Sequence, residues 1–259
     1  MNQQKETILM VNNLTKHYAC GHKAVDNVSF SIRKGECLGV TGESGSGKST
    51  LARCLLLLET IDQGEIQLHH QQISRLNKQE ARLHWLKLQA VFQNPAAALN
   101  PKLKIIDSLM EPLDFSKKAV QDGGQNRIRT AEHLLVMVGL SSHLLDRYPH
   151  ELSGGQQQRV LIARAISTQP AVIIFDEPTA SLDVISQANI LSFLKDLQDH
   201  LGMSYLFISH DLAAVHFLSH RIMVMKDGRI ADHFGKEELF SEKRQPYTKK
   251  LLQVFEGGF

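Results

Sequence analysis

Cysteine is scarce in this chain. Cys20, Cys37 and Cys54 are the only three in 259 residues, and no two form a C-x-x-C pair. That excludes a disulfide framework and a zinc-site pattern, and the thiols read as reduced in a cytosolic protein. No stretch approaches the roughly 18 consecutive apolar residues of a membrane span. The first residues, MNQQKETILMVNNL, lack the basic region followed by an apolar core that marks a secretory leader. An excess of one charge is missing too. Lys and Arg number 29 against 27 Asp and Glu, a net charge of +2, and the two signs are mixed along the chain. Charge therefore makes no case for a nucleic-acid partner. Aromatic residues are few, and Tyr18 is the only one before Phe30. What is present is core: 42% of the chain is hydrophobic and 22% charged, enough for one large domain or two subdomains.

The most informative stretch is 37–58, CLGVTGESGSGKSTLARCLLLL. It opens as a short apolar strand around Leu38 and Val40. Gly42, Gly45 and Gly47 lead into Lys48-Ser49-Thr50, and Leu51, Leu55 and Leu58 recur at helical spacing. Strand, glycine loop and helix with G-x-x-x-x-G-K-[ST] form a phosphate-binding P-loop. Glycines let backbone N–H groups close on a polyphosphate, and the helix adds free N–H groups and the positive end of its dipole. Lys48 is placed to reach the β- and γ-phosphates, and the Ser49 hydroxyl to reach Mg²⁺.

Strands are expected over residues 8–14 and 25–32, with Tyr18 between them as either a base-stacking ring or an ordinary surface tyrosine. Another short strand, 64–68, leads to His69-His70, read as a solvated turn, and to a polar helical segment ending near Trp85. Asn77-Lys78-Gln79-Glu80 superficially matches a guanine-reading motif. It lacks a preceding strand and the final Asp, so a plain helix is the better reading. A strand at 88–92 ends in Gln93, and two Asn-Pro turns follow. Helices are expected through about 150, with a loop at 121–126. Ser153 N-caps a further helix behind Gly154 and Gly155, which is either a second anion-binding end or simply a capped turn.

The continuous apolar run 171–175 predicts a strand buried on both faces. It ends in Asp176-Glu177, at the sheet edge where α/β folds place ligand chemistry. Asp176 suits Mg²⁺ held through water, and Glu177 suits orientation or deprotonation of a water. The strand 205–209 ends in His210, either a phosphate-contacting residue or a cap. His216 and His220 are expected four apart on a solvated helix. Asp227-Gly228 marks a hairpin, and the tail is expected to be helical near 237–240 and 249–255.

Together these residues resemble the ATP-binding subunits of ABC transporters over nearly the whole chain, with separated motifs in the family's order. The resemblance implies an α/β fold: a P-loop NTPase (RecA-like) core with an N-terminal antiparallel β subdomain and an α-helical insertion. The core is expected at 1–94 and 159–235, the insertion at 95–158 and a tail at 236–259. By the same resemblance Tyr18 is the A-loop aromatic. Gly42, Glu43, Ser44, Gly45, Ser46, Gly47, Lys48, Ser49 and Thr50 form Walker A. Gln93 is the Q-loop residue, joining Ser49 and Asp176 at Mg²⁺. Glu177, His210 and Lys48 act in catalysis, and Asp183 lies in the D-loop. Ser153, Gly154, Gly155 and Gln156 are the signature, contacting the ATP of a second ATP-binding subunit packed head to tail.

ATP and Mg²⁺ are the implied cofactors. The implied partners are that second subunit, two transmembrane permease subunits and an extracytoplasmic solute-binding protein, with no nucleic acid. The implied place is peripheral, on the cytoplasmic face of the membrane. Val91-Phe92-Gln93-Asn94-Pro95 and Gln245-Pro246-Tyr247-Thr248 resemble the peptide and nickel importer branch, although Gln245 replaces its usual His and Ala180-Ser181 reverses the commoner order. The chain runs eleven residues past Thr248, without the cysteine-bearing extension of some relatives in that branch. Nickel or a metal chelate is the expected cargo, with dipeptides or oligopeptides as the alternative. A non-transport ATPase acting on DNA or the ribosome is the reading from another class.

Overall fold

A computed structural model describes residues 6–18, 21–115 and 123–256. The chain enters through β1 (Thr7–His17) and β2 (Lys23–Arg33). It then runs through β3 (Cys37–Thr41), the P-loop and α1 (Lys48–Leu55), and returns as β4 (Gln63–Leu68) and β5 (Gln71–Gln72). These strands divide between two sheets. One is four-stranded and antiparallel, in the order β2-β1-β4-β5. Next come α2 (Lys78–Trp85), β6 (Leu88–Phe92), α3 (Pro95–Ala98), α4 (Ile105–Phe115) and α5 (Gly123–Met137). The chain closes with α6 (Gly154–Ile166), β7 (Val172–Asp176), α7 (Val184–Leu201), β8 (Ser204–Ile208), α8 (Leu212–Leu218), β9 (Arg221–Lys226), β10 (Arg229–Gly235) and α9 (Pro246–Glu256).

The second sheet has six strands in the order β10-β9-β3-β8-β7-β6. Four of its five pairings are parallel, and the fifth, at the edge, is antiparallel: β9 with β10, the hairpin turned by Asp227 and Gly228. Both turn residues have positive φ, 48° and 77°, as the tightest hairpins require. Alternation along the central strands feeds two cores. Ile173, Phe175, Tyr205 and Phe207 face the helices α4 to α8, whereas Val172, Ile174, Leu206 and Ile208 face α1 and the four-stranded sheet. Both faces of the sheet are thus dry, which is why β7 and β8 read as unbroken apolar runs. Phe175 meets Tyr205 edge to face, with centroids 5.0 Å apart.

Several expectations change. The loop expected at 121–126 is helical from Gly123 onward, and positions 121 and 122 lie outside the described residues. Burial of Ala131, Leu134, Leu135 and Val138 outweighs the weak helix propensity of the leading glycines. His216 and His220 do not share a helix, because α8 ends at Leu218. His220 Nδ1 instead accepts the Cys37 N–H at 3.1 Å, and His216 sits edge-on to Phe240. Asn77 caps α2: its side chain accepts from the Gln79 and Glu80 amides, and Glu80 accepts from the Asn77 amide. His69 and His70 form the tight β4–β5 turn with φ of 48° and 61°. The last helix starts at Pro246, three residues before its expected start. Burial pushes the Cys37 thiol up to about 12 and Cys54 to about 11; Cys20 is outside the described residues. Among the described residues no helix is long and apolar enough to cross a membrane.

Candidate functional site

Three glycines shape the P-loop. Gly42 has φ +145° and Gly47 has φ +100°; a Cβ on either would press to 2.1 Å from Met225 O or 2.2 Å from Ala24 O. No side chain fits there, and the loop rests on β2 and on the hairpin, with the Gly228 amide donating to Ser46 O at 3.1 Å. Gly45 differs: its φ is +81° but a Cβ there meets nothing within 4 Å. Gly47 is also the N-cap of α1, and no side chain caps that end, so the first amides of the helix face the loop's cavity.

Lys48 is buried beneath the loop. Its Nζ donates to Gly42 O at 2.7 Å, Glu43 O at 2.8 Å and Ser46 Oγ at 3.2 Å. Burial holds its pKa below the ordinary lysine value, with the Glu177 and Asp176 charges opposing that shift. Ser49 Oγ donates to Asp176 Oδ1 at 3.2 Å. Asp176, at the end of β7, is held above the usual carboxylate range by burial, partly offset by that hydrogen bond.

Glu177 leaves the strand with φ +53°, a conformation costly for a side-chain-bearing residue. Its amide is tied to Ile208 O at 2.9 Å. Its carboxylate accepts from the His210 amide at 3.0 Å and from His210 Nδ1 at 2.8 Å. A carboxylate can only accept, so the proton of that second bond sits on Nδ1. Two adjacent strand ends therefore aim one carboxylate into the cavity.

That cavity measures about 450 Å³. Tyr18, Gln93, the P-loop residues Ser44, Gly45, Gly47, Lys48, Ser49 and Thr50, and Glu177 and His210 all line it. Residues far apart in sequence thus share one space. His22 and Ala24 line it as well, and the sequence carried no signal for either. The Tyr18 amide donates to His22 O at 3.0 Å, closing a turn, and Lys16 Nζ lies 5.6 Å from the Tyr18 ring centroid.

The signature residues and Asp183 do not line the cavity. Ser153 and Gln156 cap α6 reciprocally, with contacts of 3.3 and 2.9 Å, while Ser153 and Gly154 are exposed. A Cβ on Gly155 meets nothing within 4 Å. Asp183 caps α7 through the Ser186 amide at 2.9 Å, and its pKa is lowered first by the Ser186 side chain and then by that amide. One link was not foreseen: Ser181 Oγ donates to the Gln93 carbonyl at 3.2 Å, so the reversed Ala180-Ser181 pair joins this loop to the cavity lining.

A phosphate cradle, a buried lysine, a Ser–Asp oxygen pair and an oriented carboxylate together can bind a polyphosphate and activate a water. Comparison with known proteins agrees. The family model described as ABC transporter matches residues 25–180. A putative peptide import ATP-binding protein of Brucella abortus (strain 2308) is 43% identical over 96% of this chain and 76% of its own length. The dipeptide transport ATP-binding protein DppF of Escherichia coli (strain K12) is 40% identical over 96% of this chain and 77% of its own. Among solved structures, an ATP-binding cassette described as dimeric, in a post-hydrolysis state bound to ADP and Pi, superposes with a TM-score of 0.79 at 32% identity, covering 88% of this chain and 99% of the other. The fold is that of an ATP-binding cassette, and the chain belongs to the ABC transporter family.

Proposed function

We propose that this chain is the ATP-hydrolysing subunit of an importer for short peptides. The carrying observation is the cavity that unites the P-loop, Glu177 and His210; the choice of peptide rests on the relatives, which are named for peptide and dipeptide import. Those names favour the alternative in the sequence reading over nickel.

The residues suit MgATP. The loop amides and the uncapped start of α1 would take the β- and γ-phosphates, with Lys48 supplying charge once it exchanges its loop carbonyls for phosphate oxygens. The Tyr18 ring in the cavity lining suits stacking against the base. Ser49 Oγ, the Asp176 carboxylate and Gln93 offer the hard oxygen donors that Mg²⁺ prefers. Mg²⁺ held there would neutralise charge developing between the transferred and leaving phosphates. Glu177 keeps unshared lone pairs beyond its two bonds to His210, enough to orient and deprotonate an attacking water. His210 fixes where that carboxylate points.

The exposed signature is read as serving a second subunit. Ser153, Gly154 and Gly155 present an anion-binding helix end outward, and Gly155 has the open space a neighbour's phosphate needs. At the start of α7, Val184 and Ile185 are 81% and 76% exposed, apolar surface of the kind that interfaces cover. In this reading two such subunits close over ATP beneath two permease subunits, peripheral to the cytoplasmic face of the membrane and served by a solute-binding protein outside.

Uptake decides the cargo. Cells lacking the chain are expected to lose growth on di- or tripeptides as the sole source of a required amino acid, and Lys48→Ala is expected not to restore it. Intact peptide use with a loss of nickel accumulation would overturn the assignment.

A further inference from the structure

The C-terminal Gln-Pro-Tyr-Thr segment has no part in the chemistry above, yet it ends on the phosphate loop. We infer that this segment is a latch on the P-loop and that Tyr247 is a positioning residue for nucleotide binding. The inference rests on the reading of 42–50 as the ATP phosphate site.

One carboxylate anchors the latch. Asp232 Oδ2, on β10, accepts from the Gln245 amide at 3.0 Å and from Thr248 Oγ1 at 2.9 Å. Thr248 is 1% exposed. Arg244 Nη1 lies 3.5 Å from Asp232 Oδ1, at ion-pair range, and its guanidinium stacks 4.2 Å from the Phe234 ring centroid. Pro246 opens α9, where its missing N–H costs nothing and its fixed φ suits the helix. The first turn of α9 is thereby fastened to β10.

With that turn fixed, Tyr247 reaches the loop. Its Oη accepts the Glu43 amide at 3.3 Å, and Lys226 Nζ, on β9, lies 4.9 Å from its ring centroid. One turn on, Leu251 lines a cavity of about 300 Å³ together with Gly42, His210 and Leu212. The Gly42–Glu43 peptide is consequently held at both ends: its N–H, that of Glu43, by the tail and its C=O, that of Gly42, by Lys48 Nζ at 2.7 Å. The peptide that orients the catalytic lysine is set in part by a residue about two hundred positions away. Losing the Tyr247 hydroxyl leaves that peptide free to rotate, and the loop must then be ordered by ATP itself, which lowers affinity.

The test titrates MgATP into the full chain and into Tyr247→Phe, Asp232→Ala, their double variant and Lys48→Ala, with thermal unfolding run alongside. Tyr247→Phe is expected to weaken ATP binding roughly two- to tenfold, the range for one lost hydrogen bond, with the unfolding midpoint lowered by about 4 °C at most. In the assembled transporter the effect is expected on KM for ATP rather than on kcat. Asp232→Ala is expected to weaken binding similarly, and the double variant no further, because both act through one contact. Unchanged ATP affinity in Tyr247→Phe, while Lys48→Ala loses binding, overturns the latch and leaves the site standing. Unchanged affinity in Lys48→Ala overturns the site reading itself. A lowered midpoint with unchanged affinity makes Tyr247 merely structural and also overturns the latch. Should Asp232→Ala fail to fold, Tyr247→Phe alone decides.

Discussion

Gly42 and Gly155 are both glycines of an ATPase motif, but they are glycines for different reasons. At Gly42 the chain itself forbids a side chain, because φ is +145° and a Cβ would lie 2.1 Å from Met225 O. Gly42→Ala is expected to cost about 2 kcal/mol or more of stability and to abolish nucleotide binding, read by thermal unfolding and ATP titration. At Gly155 an added Cβ would meet nothing within 4 Å among the described residues, and the residue is helical. Gly155→Ala is therefore expected to leave stability unchanged or raise it by up to about 1 kcal/mol. Hydrolysis in the assembled transporter is expected to fall on the order of 10²-fold, the cost of displacing a reacting group. Full activity in that variant would remove the signature from the site.

Local chemistry decides among elements whose motifs look alike. Asn77-Lys78-Gln79-Glu80 looks like a base reader until its bonds are followed: both polar ends are consumed in a capping box. Such a cap is worth about 1 kcal/mol. Asn77→Ala is expected to speed amide exchange across 78–85 roughly fivefold while leaving the preference for ATP over GTP unchanged; a changed nucleotide preference would reverse the reading. Strands were the most legible elements. β6 falls at 88–92 as expected, and β7 and β8 are each displaced by one residue from their expected spans, because burial on both faces writes an unbroken apolar run. Helix starts were less legible. α5 begins in glycines, which signal a loop locally and are overruled by packing, whereas α9 opens at Pro246, a residue suited to the first helical position and fastened there by the Asp232 carboxylate.

Across the whole molecule, the sheet order brings positions 18, 48, 93, 177 and 210 around one cavity. The P-loop, Asp176 and Glu177 could be read from residue type and position at strand ends, whereas His210, open between a phosphate contact and a cap, was decided by the family resemblance. Tyr18 and Gln93 needed the family resemblance. His22, the Ser181 link to Gln93 and the Tyr247 latch could not be read at all, since each depends on contacts between segments far apart in sequence. The central claim is that this assembly hydrolyses ATP with Glu177 as the base. The most direct test measures ATP affinity and steady-state hydrolysis of Glu177→Gln in the assembled transporter. The account predicts unchanged affinity and a turnover lower by roughly 10²–10⁴-fold. Near-normal turnover in that variant would contradict it.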